Sequence, residues 1–400
     1  MDEFTISEFD SEIVNLFMIQ RLAEKELLEL SAQFKSVAVI GPRQSGKTTL
    51  TKSVFPNKPY VSLENPDTRL FAEDDPRGFL SQFPEGAILD EAQRTPNLFS
   101  YLQQILDESL SPGKFIITGS NNFLLQESIV QSLAGRIAYI KLLPFSIPEL
   151  KAADIVFDNV NEYLIKGGYP PIYDQNIPSY KWHQNYIQTY LEKDVRQIKN
   201  ITNLSVFERF LRLCAGRVGQ LLNMNSLGIE VGVDSKTIAS WIGILESSFV
   251  VYLLKPHHQN FNKRVVKMPK LYFYDTGLAA ALLGIQNESQ LDTHPVKGSL
   301  FENMIVVEML KSRFNLGLSD NIFFWRDNVG NEIDMLIDDA EKLVPIEIKA
   351  GKTINSDYFK GITFWNKLTG STGGQIIYAG NEKQLRSNDI NIFPWNNTDF

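Results

Sequence analysis

Two glycines, a lysine and two threonines stand at a spacing that suits phosphate binding. They belong to a segment that follows an apolar run and consists of Gly41-Pro42-Arg43-Gln44-Ser45-Gly46-Lys47-Thr48-Thr49. Gly41 and Gly46 permit a tight turn whose N–H groups, together with the N-terminus of the next helix, can surround phosphates. Lys47 is expected to reach the β- and γ-phosphates, and Thr48 to bind Mg²⁺. The segment therefore predicts a nucleoside triphosphate site, and we expect ATP with Mg²⁺.

Two carboxylates end a later apolar run at 87–89 and suit the chemistry of phosphate transfer. Asp90 is expected to hold the Mg²⁺ shell, and Glu91 to polarise the attacking water. The next long strand ends before Ser120 and Asn121, and either side chain is placed to orient that water. An ordinary turn rich in Ser and Asn is the alternative at these two positions.

Arg136 is the candidate for an arginine that contacts the γ-phosphate. Such a guanidinium can act from within its own chain or from a neighbouring copy, and the sequence leaves both open. A surface position or an ordinary ion pair is the alternative for a lone arginine.

A second set of carboxylates lies in the last quarter of the chain. Glu302 falls in the first turn of a predicted helix, and Asp334 in a predicted hairpin. Glu347 and Lys349 are two apart in one strand, so they share a face that is expected to meet Asp334. The three carboxylates can hold Mg²⁺ or Mn²⁺, while the Lys349 ammonium favours hydroxide beside a scissile phosphate. Glu332 shares a strand face with Asp334 and is a competing ligand.

A helix–turn–helix pattern and two strands precede this second set. Helices are predicted over 224–231 and 235–246, with Ser235 as the cap of the second, and strands over 249–254 and 270–274. The segment between the strands has no acidic residue and carries Lys255, His257, His258, Lys263, Arg264 and Lys267. This local basic face suits a nucleic-acid backbone. A winged helix used only for protein packing is the alternative, and both histidines are expected at the surface.

The elements that position these residues alternate between strands and helices in the first part of the chain. A parallel sheet with crossover helices is predicted from β-rich runs at 37–40, 60–63, 87–89, 115–118 and 137–142. An amphipathic entry helix is predicted over 13–34, and residues 146–201 are predicted to be mainly helical. The fold class is thus α/β and multidomain, as a length of 400 residues also favours.

The composition excludes several classes of protein. An apolar fraction of 43% and a charged fraction of 22% are typical of a globular chain and argue against disorder. The net charge of −8 restricts any nucleic-acid contact to a local face. Cys214, the single cysteine, cannot form an internal disulfide and is expected to be buried. No apolar run approaches the roughly 20 residues of a bilayer span, and the N-terminus is acidic, so we expect a cytoplasmic protein without membrane contact.

In their order along the chain, the motifs resemble those of the prokaryotic AAA+ superfamily ATPases that carry a C-terminal domain of unknown function. They are Gly-Pro-Arg-Gln-Ser-Gly-Lys-Thr-Thr-Leu, Leu-Asp-Glu-Ala-Gln-Arg, Thr-Gly-Ser-Asn, Leu-Ala-Gly-Arg, Gly-Gly-Tyr-Pro and Tyr190-Leu-Glu-Lys-Asp194-Val. The resemblance runs from about residue 20 over nearly the whole chain. The later helix, hairpin aspartate and Glu-x-Lys strand resemble the core of the restriction-endonuclease-like, or PD-(D/E)xK, nucleases.

The patterns and the resemblance together imply five segments. They are an N-terminal helical segment at 1–34, a P-loop ATPase core at 35–145, a helical lid at 146–204, a winged helix at 205–275 and a nuclease-like α/β domain at 276–400. A P-loop AAA+-like parallel sheet and a separate restriction-endonuclease-like α/β domain are therefore expected in one chain.

The predicted function is an Mg²⁺-dependent AAA+ ATPase that acts with nucleic acid, most simply DNA. The nuclease-like module either cleaves with a metal or is kept for contact without cleavage. One alternative is a signalling or scaffold ATPase whose later domains bind protein, and another is a nucleotide switch with negligible turnover. Each of these is compatible with a homo-oligomer.

Overall fold

A parallel sheet forms the N-terminal part of the chain. The structure is a computed structural model and describes residues 19–109, 111–120, 133–191, 203–257 and 266–397. The strands of this sheet are β1 Ser36–Ile40, β2 Tyr60–Ser62, β3 Ile88–Asp90, β4 Phe115–Gly119 and β5 Ile137–Lys141. Their order is β2-β3-β4-β1-β5, with every pair parallel. The predicted parallel sheet is confirmed, and its strands end at one common edge.

Helices cover both faces of this sheet, so its three central strands β1, β3 and β4 are buried throughout. The helices are α1 Glu24–Gln33, α2 Lys47–Val54, α3 Pro66–Asp74, α4 Pro76–Ser81 and α5 Leu98–Glu108, with a 3-10 turn at Ala92–Arg94. Val39 of β1 packs in one cluster with Leu27 of α1 and Leu50 of α2. Its neighbour Ile40 belongs to the opposite cluster, which includes Leu102 of α5. The alternation of strand side chains thus explains the three-layer packing.

The N-terminal helix is shorter than predicted. Residues 19–23 are not helical, and α1 begins only at Glu24. Residues 13–18 of the predicted helix lie outside the described residues, as do residues 192–195, the last four of the Tyr190-Leu-Glu-Lys-Asp194-Val motif. The apolar spacing over 13–34 therefore overestimated the described helix, since Ile19 and Arg21 serve other contacts described below.

A run of helices follows the sheet over the described part of the region 146–201, as predicted, and residues 192–201 lie outside the described residues. The helices are α6 Ile147–Ala152, α7 Val160–Lys166, α8 Pro170–Asp174 and α9 Ser179–Tyr186, which continues into a π-helical turn at Ile187–Leu191. A capping box starts α6, because Ser146 and Glu149 each accept the other's backbone amide. Gly167 and Gly168 separate α7 from α8, and the Gly168 amide donates to Asp275 at 2.7 Å.

Three helices and a hairpin form the next part of the chain. They are α10 Leu204–Ala215, α11 Met224–Val231 and α12 Ser235–Ser247, followed by the antiparallel strands β6 Val251–Leu254 and β7 Lys270–Phe273. The predicted cap of α12 is wrong by one residue. Ser235 is its first helical residue, while the extended Asp234 accepts hydrogen bonds from the amides of Lys236 and Thr237.

A mixed sheet and the helix α15 organise the C-terminal part. Its elements are α13 Thr276–Leu282, α14 Glu288–Thr293, α15 Lys297–Asn315, β8 Ile322–Arg326, β9 Glu332–Asp338, β10 Leu343–Lys349, a 3-10 turn at Ser356–Phe359, α16 Lys360–Thr369, β11 Gly374–Tyr378 and β12 Ile390–Pro394. The strand order is β12-β11-β10-β9-β8. Because α15 packs against β5, β7 and β10, it joins three parts of the chain. Within the described ranges, neither α15 nor another helix is long and apolar enough to cross a membrane.

The described ends of the segment between β6 and β7, residues 255–257 and 266–269, run along the C-terminal sheet. Lys255 accepts the Phe324 amide at 3.1 Å, and the His257 amide donates to the Phe324 carbonyl at 2.7 Å. Further along, the Val266 amide donates to the Arg326 carbonyl at 3.0 Å. His257 is 8% exposed, so its expected surface position is wrong: these backbone bonds draw it into the sheet. Outside the described residues lie His258, Lys263 and Arg264.

Candidate phosphate site and carboxylate–lysine cluster

The turn after β1 brings the predicted phosphate-binding segment to the edge where the parallel strands end. A Cβ atom on Gly41 would lie 2.1 Å from the Leu142 carbonyl oxygen, so the backbone approach there requires glycine. Gly46, with a φ of +92°, leads directly into α2. The Ser45 hydroxyl is buried and has no hydrogen-bond partner among the described residues. A buried unpaired hydroxyl beside a helix N-terminus fits a phosphate group that would complete its hydrogen bonding.

The Lys47 ammonium is folded into the same loop. It donates to the carbonyls of Gly41 at 3.0 Å and of Pro42 at 2.7 Å, and the residue is 5% exposed. Burial lowers the pKa of Lys47 to about 8, against the opposite influence of Glu91 and Asp90. A lysine held among loop carbonyls is well placed to exchange them for phosphate oxygens.

Thr48 and Asp90, predicted to share Mg²⁺, are in contact. The Thr48 hydroxyl donates to the Asp90 carboxylate at 2.9 Å. The Tyr60 hydroxyl donates to the other Asp90 oxygen at 2.8 Å, and the Thr118 hydroxyl donates to Asp90 as well. Burial, followed by the bond to Asp90, raises the pKa of Tyr60 to about 12. Tyr60 and Thr118 were missed from the sequence, although each belongs to a strand that flanks β3 and carries a polar side chain.

Glu91 is held beside Asp90 by residues of the next strand. It has a left-handed φ of +55°, and its amide donates to the Thr118 hydroxyl at 3.3 Å. The Ser120 hydroxyl donates to the Glu91 carboxylate at 2.8 Å, and the Gln93 side-chain amide donates to the same group. Ser120, one of the two candidates for orienting water, is thus bonded to Glu91. The other, Asn121, lies outside the described residues.

Arg136 lies far from the phosphate loop of its own chain. It precedes β5, whose first residue pairs with Ser36 at the start of β1, whereas the loop follows the end of β1. The five residues of β1 span about 16 Å at the usual rise of a strand. The Arg136 guanidinium is instead paired with Asp107, with one of its bonds at 3.0 Å. The prediction that Arg136 contacts the γ-phosphate of its own chain is therefore wrong. Contact of Arg136 with the γ-phosphate of a neighbouring copy stays a prediction.

A cavity of about 340 Å³ lies beside the phosphate loop. Its walls come from the loop and α2, the segment before α1, and α8, and they include Gly46, Thr49, Ile19, Gln20, Pro170 and Asp174. On the rim of the loop Arg43 lies 3.7 Å from Glu64, and Gln44 has a φ of +60°. The predicted phosphate-binding segment thus opens, through Gly46 and Thr49, into a neighbouring cavity.

The second set of carboxylates is also gathered, but with ammonium partners. The Lys349 ammonium donates to Asp334 at 3.0 Å and is paired with Glu347 as well. The Ile348 amide donates to Asp334 at 2.8 Å. Because β9 and β10 are antiparallel neighbours, Asp334 and Glu347 lie side by side across the pair of strands.

Lys270 completes this cluster and was not recognised from the sequence. Its ammonium, on β7, lies 2.8 Å from Glu302 and is also paired with Glu332. The Lys270 side chain is 4% exposed, and the Tyr272 hydroxyl donates to the same Glu302 oxygen. From the sequence Lys270 was only the first residue of a wing strand. We call the six charged residues the carboxylate–lysine cluster: Lys270, Glu302, Glu332, Asp334, Glu347 and Lys349.

The cluster does not form the expected metal site. Among the described residues, no group of three or more His, Cys, Asp and Glu side chains is arranged to hold a metal ion. Glu302 is paired with Lys270, whereas Asp334 and Glu347 are paired with Lys349. The three carboxylates thus meet ammonium groups where a shared cation was predicted, and Mn²⁺ finds no support at this place.

Asp334 and Glu347 respond to the shared lysine in opposite directions. Although burial raises it, the pKa of Asp334 is lowered on balance by the charges of Lys349 and Lys270. Burial, and then the Asp334 charge, raises the pKa of Glu347 to about 8. Two adjacent carboxyl groups with one main counter-ion therefore keep one ionised and one protonated member near neutral pH.

Comparison with known protein families divides the chain into three parts. A model described as an AAA domain matches residues 33–151. Two models described as domains of unknown function match residues 157–289 and 297–398. The loop and its partners Asp90 and Glu91 lie within the AAA match. The carboxylate–lysine cluster takes Lys270 from the second match and its other members from the third.

Among the proteins that this chain is similar to are solved structures and mycobacterial relatives. The Walker-type ATPase PABY2304 of Pyrococcus abyssi is 15% identical, with a TM-score of 0.43, over 66% of this chain and 96% of that one. AMPPCP-bound DnaA from Aquifex aeolicus is 14% identical, with a TM-score of 0.29, over 61% and 89%. Uncharacterized proteins Rv2008c of Mycobacterium tuberculosis and Mb2031c of Mycobacterium bovis are each 31% identical over 323 residues, 79% of this chain and 70% of theirs. The chain therefore belongs to the family of these mycobacterial proteins, and its N-terminal part is a P-loop ATPase-like AAA domain.

Proposed function

We propose that this protein hydrolyses ATP with Mg²⁺ at the loop after β1. One observation carries the proposal: the Thr48 hydroxyl and the Asp90 carboxylate are 2.9 Å apart directly beside the phosphate loop. A hydroxyl and a carboxylate in contact supply the oxygen ligands that Mg²⁺ prefers. Glu91 follows Asp90, so a base stands next to the cation position.

Each residue of the loop has a defined task in this proposal. The loop amides and the Ser45 hydroxyl bind phosphate oxygens, and Lys47 neutralises their charge. Bound Mg²⁺ would withdraw charge from the β- and γ-phosphates. Glu91 accepts a proton from the attacking water, while Ser120 holds the Glu91 carboxylate at 2.8 Å. The cavity beside Gly46 and Thr49 takes the base and ribose, because it continues from the loop between three elements.

Phosphate release with ATP and Mg²⁺ tests the proposal. Glu91→Gln keeps the shape of the side chain but removes the base, so kcat is expected to fall about 10²- to 10⁴-fold. Glu230→Gln is the matched control, because Glu230 is an exposed glutamate of α11 that pairs with Arg217. Equal phosphate release by wild type and Glu91→Gln would contradict the role of Glu91, and no nucleotide binding by wild type would contradict the site.

The later domains are proposed to contact a nucleic-acid backbone. The segment between β6 and β7 has no acidic residue from Lys255 to Lys270. Its described ends, 255–257 and 266–269, are hydrogen-bonded to β8 at Phe324 and Arg326. Basic residues from two domains are thus brought to one strip, which supports salt-sensitive phosphate contacts without base recognition. Cleavage is not part of the proposal, because the carboxylates of the cluster are already paired with ammonium groups.

Fluorescence anisotropy with labelled single- and double-stranded DNA and RNA tests this contact. Binding is expected to weaken steadily with salt, and Lys267→Glu is expected to weaken it for every sequence by a similar factor. Lys25→Glu, the same charge reversal at an exposed lysine of α1 in the N-terminal part, is the control. Cleavage in Mn²⁺ that disappears in Asp334→Ala would restore the nuclease prediction, and no binding to any of the four substrates would favour the scaffold alternative.

A further inference from the structure

The Arg21 side chain connects the phosphate loop to two other elements. It is 7% exposed, and its guanidinium donates to the Ser45 carbonyl at 2.7 Å. The same group donates to the Leu143 carbonyl at 2.6 Å and to the Glu149 carboxylate at 3.0 Å. A buried guanidinium with three separate acceptors has little freedom to move, so its position fixes the position of the Ser45 carbonyl.

The bond to Ser45 has a consequence for the next amide. The peptide between Ser45 and Gly46 is planar, and in a trans peptide the C=O and N–H bonds point in opposite directions. A carbonyl held toward Arg21 therefore turns the Gly46 N–H away from Arg21. Gly46 has a φ of +92° and precedes α2, so this amide belongs to the turn that surrounds the phosphate position.

The support of Arg21 extends to α15 in the C-terminal domain. Glu149 belongs to the capping box of α6, and the first amide of that helix, Ile147, donates to Glu308 of α15 at 2.8 Å. Glu308 is 2.7 Å from Lys311, whose ammonium also donates to the Phe145 carbonyl at 2.8 Å. Both charged residues are buried, so this contact is held by paired rather than solvated groups.

We propose that Arg21 is a positioning residue for phosphate binding, and that through Glu149 it makes the loop geometry depend on the docking of α15. The inference rests on the proposed ATP site. A correctly turned Gly46 amide favours bound phosphate before and during the reaction, so the loss of Arg21 weakens nucleotide binding more than it slows the chemical step.

Steady-state phosphate release and binding of ADP with Mg²⁺ test the proposal in the full chain. Arg21→Met is expected to raise KM for ATP and Kd for ADP about tenfold, while kcat stays within threefold. Arg21→Lys is expected to recover part of the loss, because an ammonium can still donate to Ser45. Arg217→Met is the matched control, since Arg217 also joins a carboxylate, Glu230, to a backbone carbonyl but lies in the turn between α10 and α11. An unchanged KM and Kd in Arg21→Met would overturn the proposal.

A double variant separates positioning from mere stability. Arg21→Met leaves Glu149 buried without its partner and lowers the melting temperature, whereas Arg21→Met with Glu149→Gln removes both charges and keeps a capping-box residue. If Arg21 positions the loop, the double variant regains melting temperature but keeps the raised KM and Kd. If both return to wild-type values with the melting temperature, Arg21 is only structural and the proposal is wrong.

The α15 arm and the underlying ATP site are tested separately. The double variant Glu308→Gln with Lys311→Met is expected to raise Kd for ADP about threefold. Added to Arg21→Met, the same two changes are expected to raise Kd by less than threefold, because all three substitutions act on one contact. Full additivity would remove α15 from the proposal. If the wild type does not bind nucleotide, the ATP site itself is wrong. If the wild type and Arg21→Met bind nucleotide equally well, the ATP site stands and only the role of Arg21 is wrong.

Discussion

The phosphate loop and the carboxylate–lysine cluster use the same residue types in opposite ways. In the loop, Lys47 is bonded to backbone carbonyls and Asp90 to hydroxyl groups, so neither charge is cancelled by a direct partner. In the cluster, Lys270 and Lys349 are bonded directly to carboxylates. The first arrangement leaves a cation and an anion free to take new partners, while the second satisfies its charges internally.

This difference teaches where a ligand can be accommodated at low energetic cost. Neutral carbonyls and hydroxyls around Lys47 and Asp90 can be replaced by phosphate and Mg²⁺ without leaving an unpaired charge behind. In the cluster, a divalent cation would first have to displace a buried ammonium from its carboxylate, which costs the pairing energy of that group. The residue types alone therefore do not identify a metal site. The hydrogen-bond and ion-pair partners of each charged side chain show whether it is available to bind a metal.

The largest expected effect separates the two lysines. Lys47→Ala removes the cation of the phosphate loop, so kcat/KM for ATP is expected to fall about 10³-fold, which corresponds to about 4 kcal/mol. Lys349→Met, in the cluster, is expected to leave kcat/KM within about twofold. Phosphate release measured over a range of ATP concentrations checks both. A large loss in Lys349→Met would show that the cluster takes part in hydrolysis and would break the contrast.

The phosphate loop could be predicted from the sequence because its chemistry is local. Gly41, Gly46, Lys47 and Thr48 lie within eight consecutive residues between a strand and a helix, and the turn geometry follows from their order. Asp90 was also found, since a parallel sheet brings the ends of its strands to one edge. Tyr60 was not, because its hydroxyl reaches Asp90 through the length of its side chain rather than through a position at the strand end.

The charge balance of the cluster could not be predicted, for a physical reason. Glu302, Asp334, Glu347 and Lys349 were named from local strand and helix patterns, which fix the face of a residue but not its partner. Lys270 comes from a hairpin in another part of the chain, and only tertiary packing brings it to Glu302. The position of Arg136 could not be predicted for the same reason. The register between β5 and β1 places Arg136 at the end of the sheet opposite the phosphate loop, and that register is not evident from local sequence patterns.

A large effect on stability is expected at Lys270. Lys270→Met leaves Glu302 and Glu332 without their buried counter-ion, so the free energy of unfolding is expected to fall by about 3 kcal/mol. Urea denaturation followed by circular dichroism measures it. Lys342→Met, at the last residue of the turn between β9 and β10, is the control. A loss below about 0.5 kcal/mol for Lys270→Met would show that the cluster is not held by its internal pairs.

A smaller effect depends on pH and concerns Glu347. Its folded-state pKa of about 8 lies above the unfolded value of 4.5, so the folded protein keeps a proton that the unfolded chain releases. The stabilising contribution is therefore complete below about pH 4.5 and is lost as pH rises toward 8. Glu347→Gln mimics the protonated form, so between about pH 6 and 8 the variant should gain about 2 kcal/mol relative to wild type.

Urea titrations of both proteins across this pH range provide the measurement. A constant difference between wild type and Glu347→Gln would show that Glu347 is ionised throughout, with Lys349 shared equally by both carboxylates. Burial also lowers the pKa of His183, which makes stability depend on pH, but His183 is present in both proteins and its contribution cancels in the difference.

The smallest effect is expected at Arg136, which lies away from the phosphate loop of its own chain. Its guanidinium is paired with Asp107 at the opposite edge of the sheet, about 16 Å from the loop along β1, so Arg136→Gln is expected to leave kcat/KM within twofold in a dilute sample. Asp107→Asn is the control that breaks the same pair and retains the arginine. A loss at every protein concentration would place Arg136 at its own loop and contradict the sheet register. The other outcome is a loss of kcat/KM that is seen only at high protein concentration and not in Asp107→Asn. That result would mean that Arg136 of one copy contacts the phosphate site of a second copy.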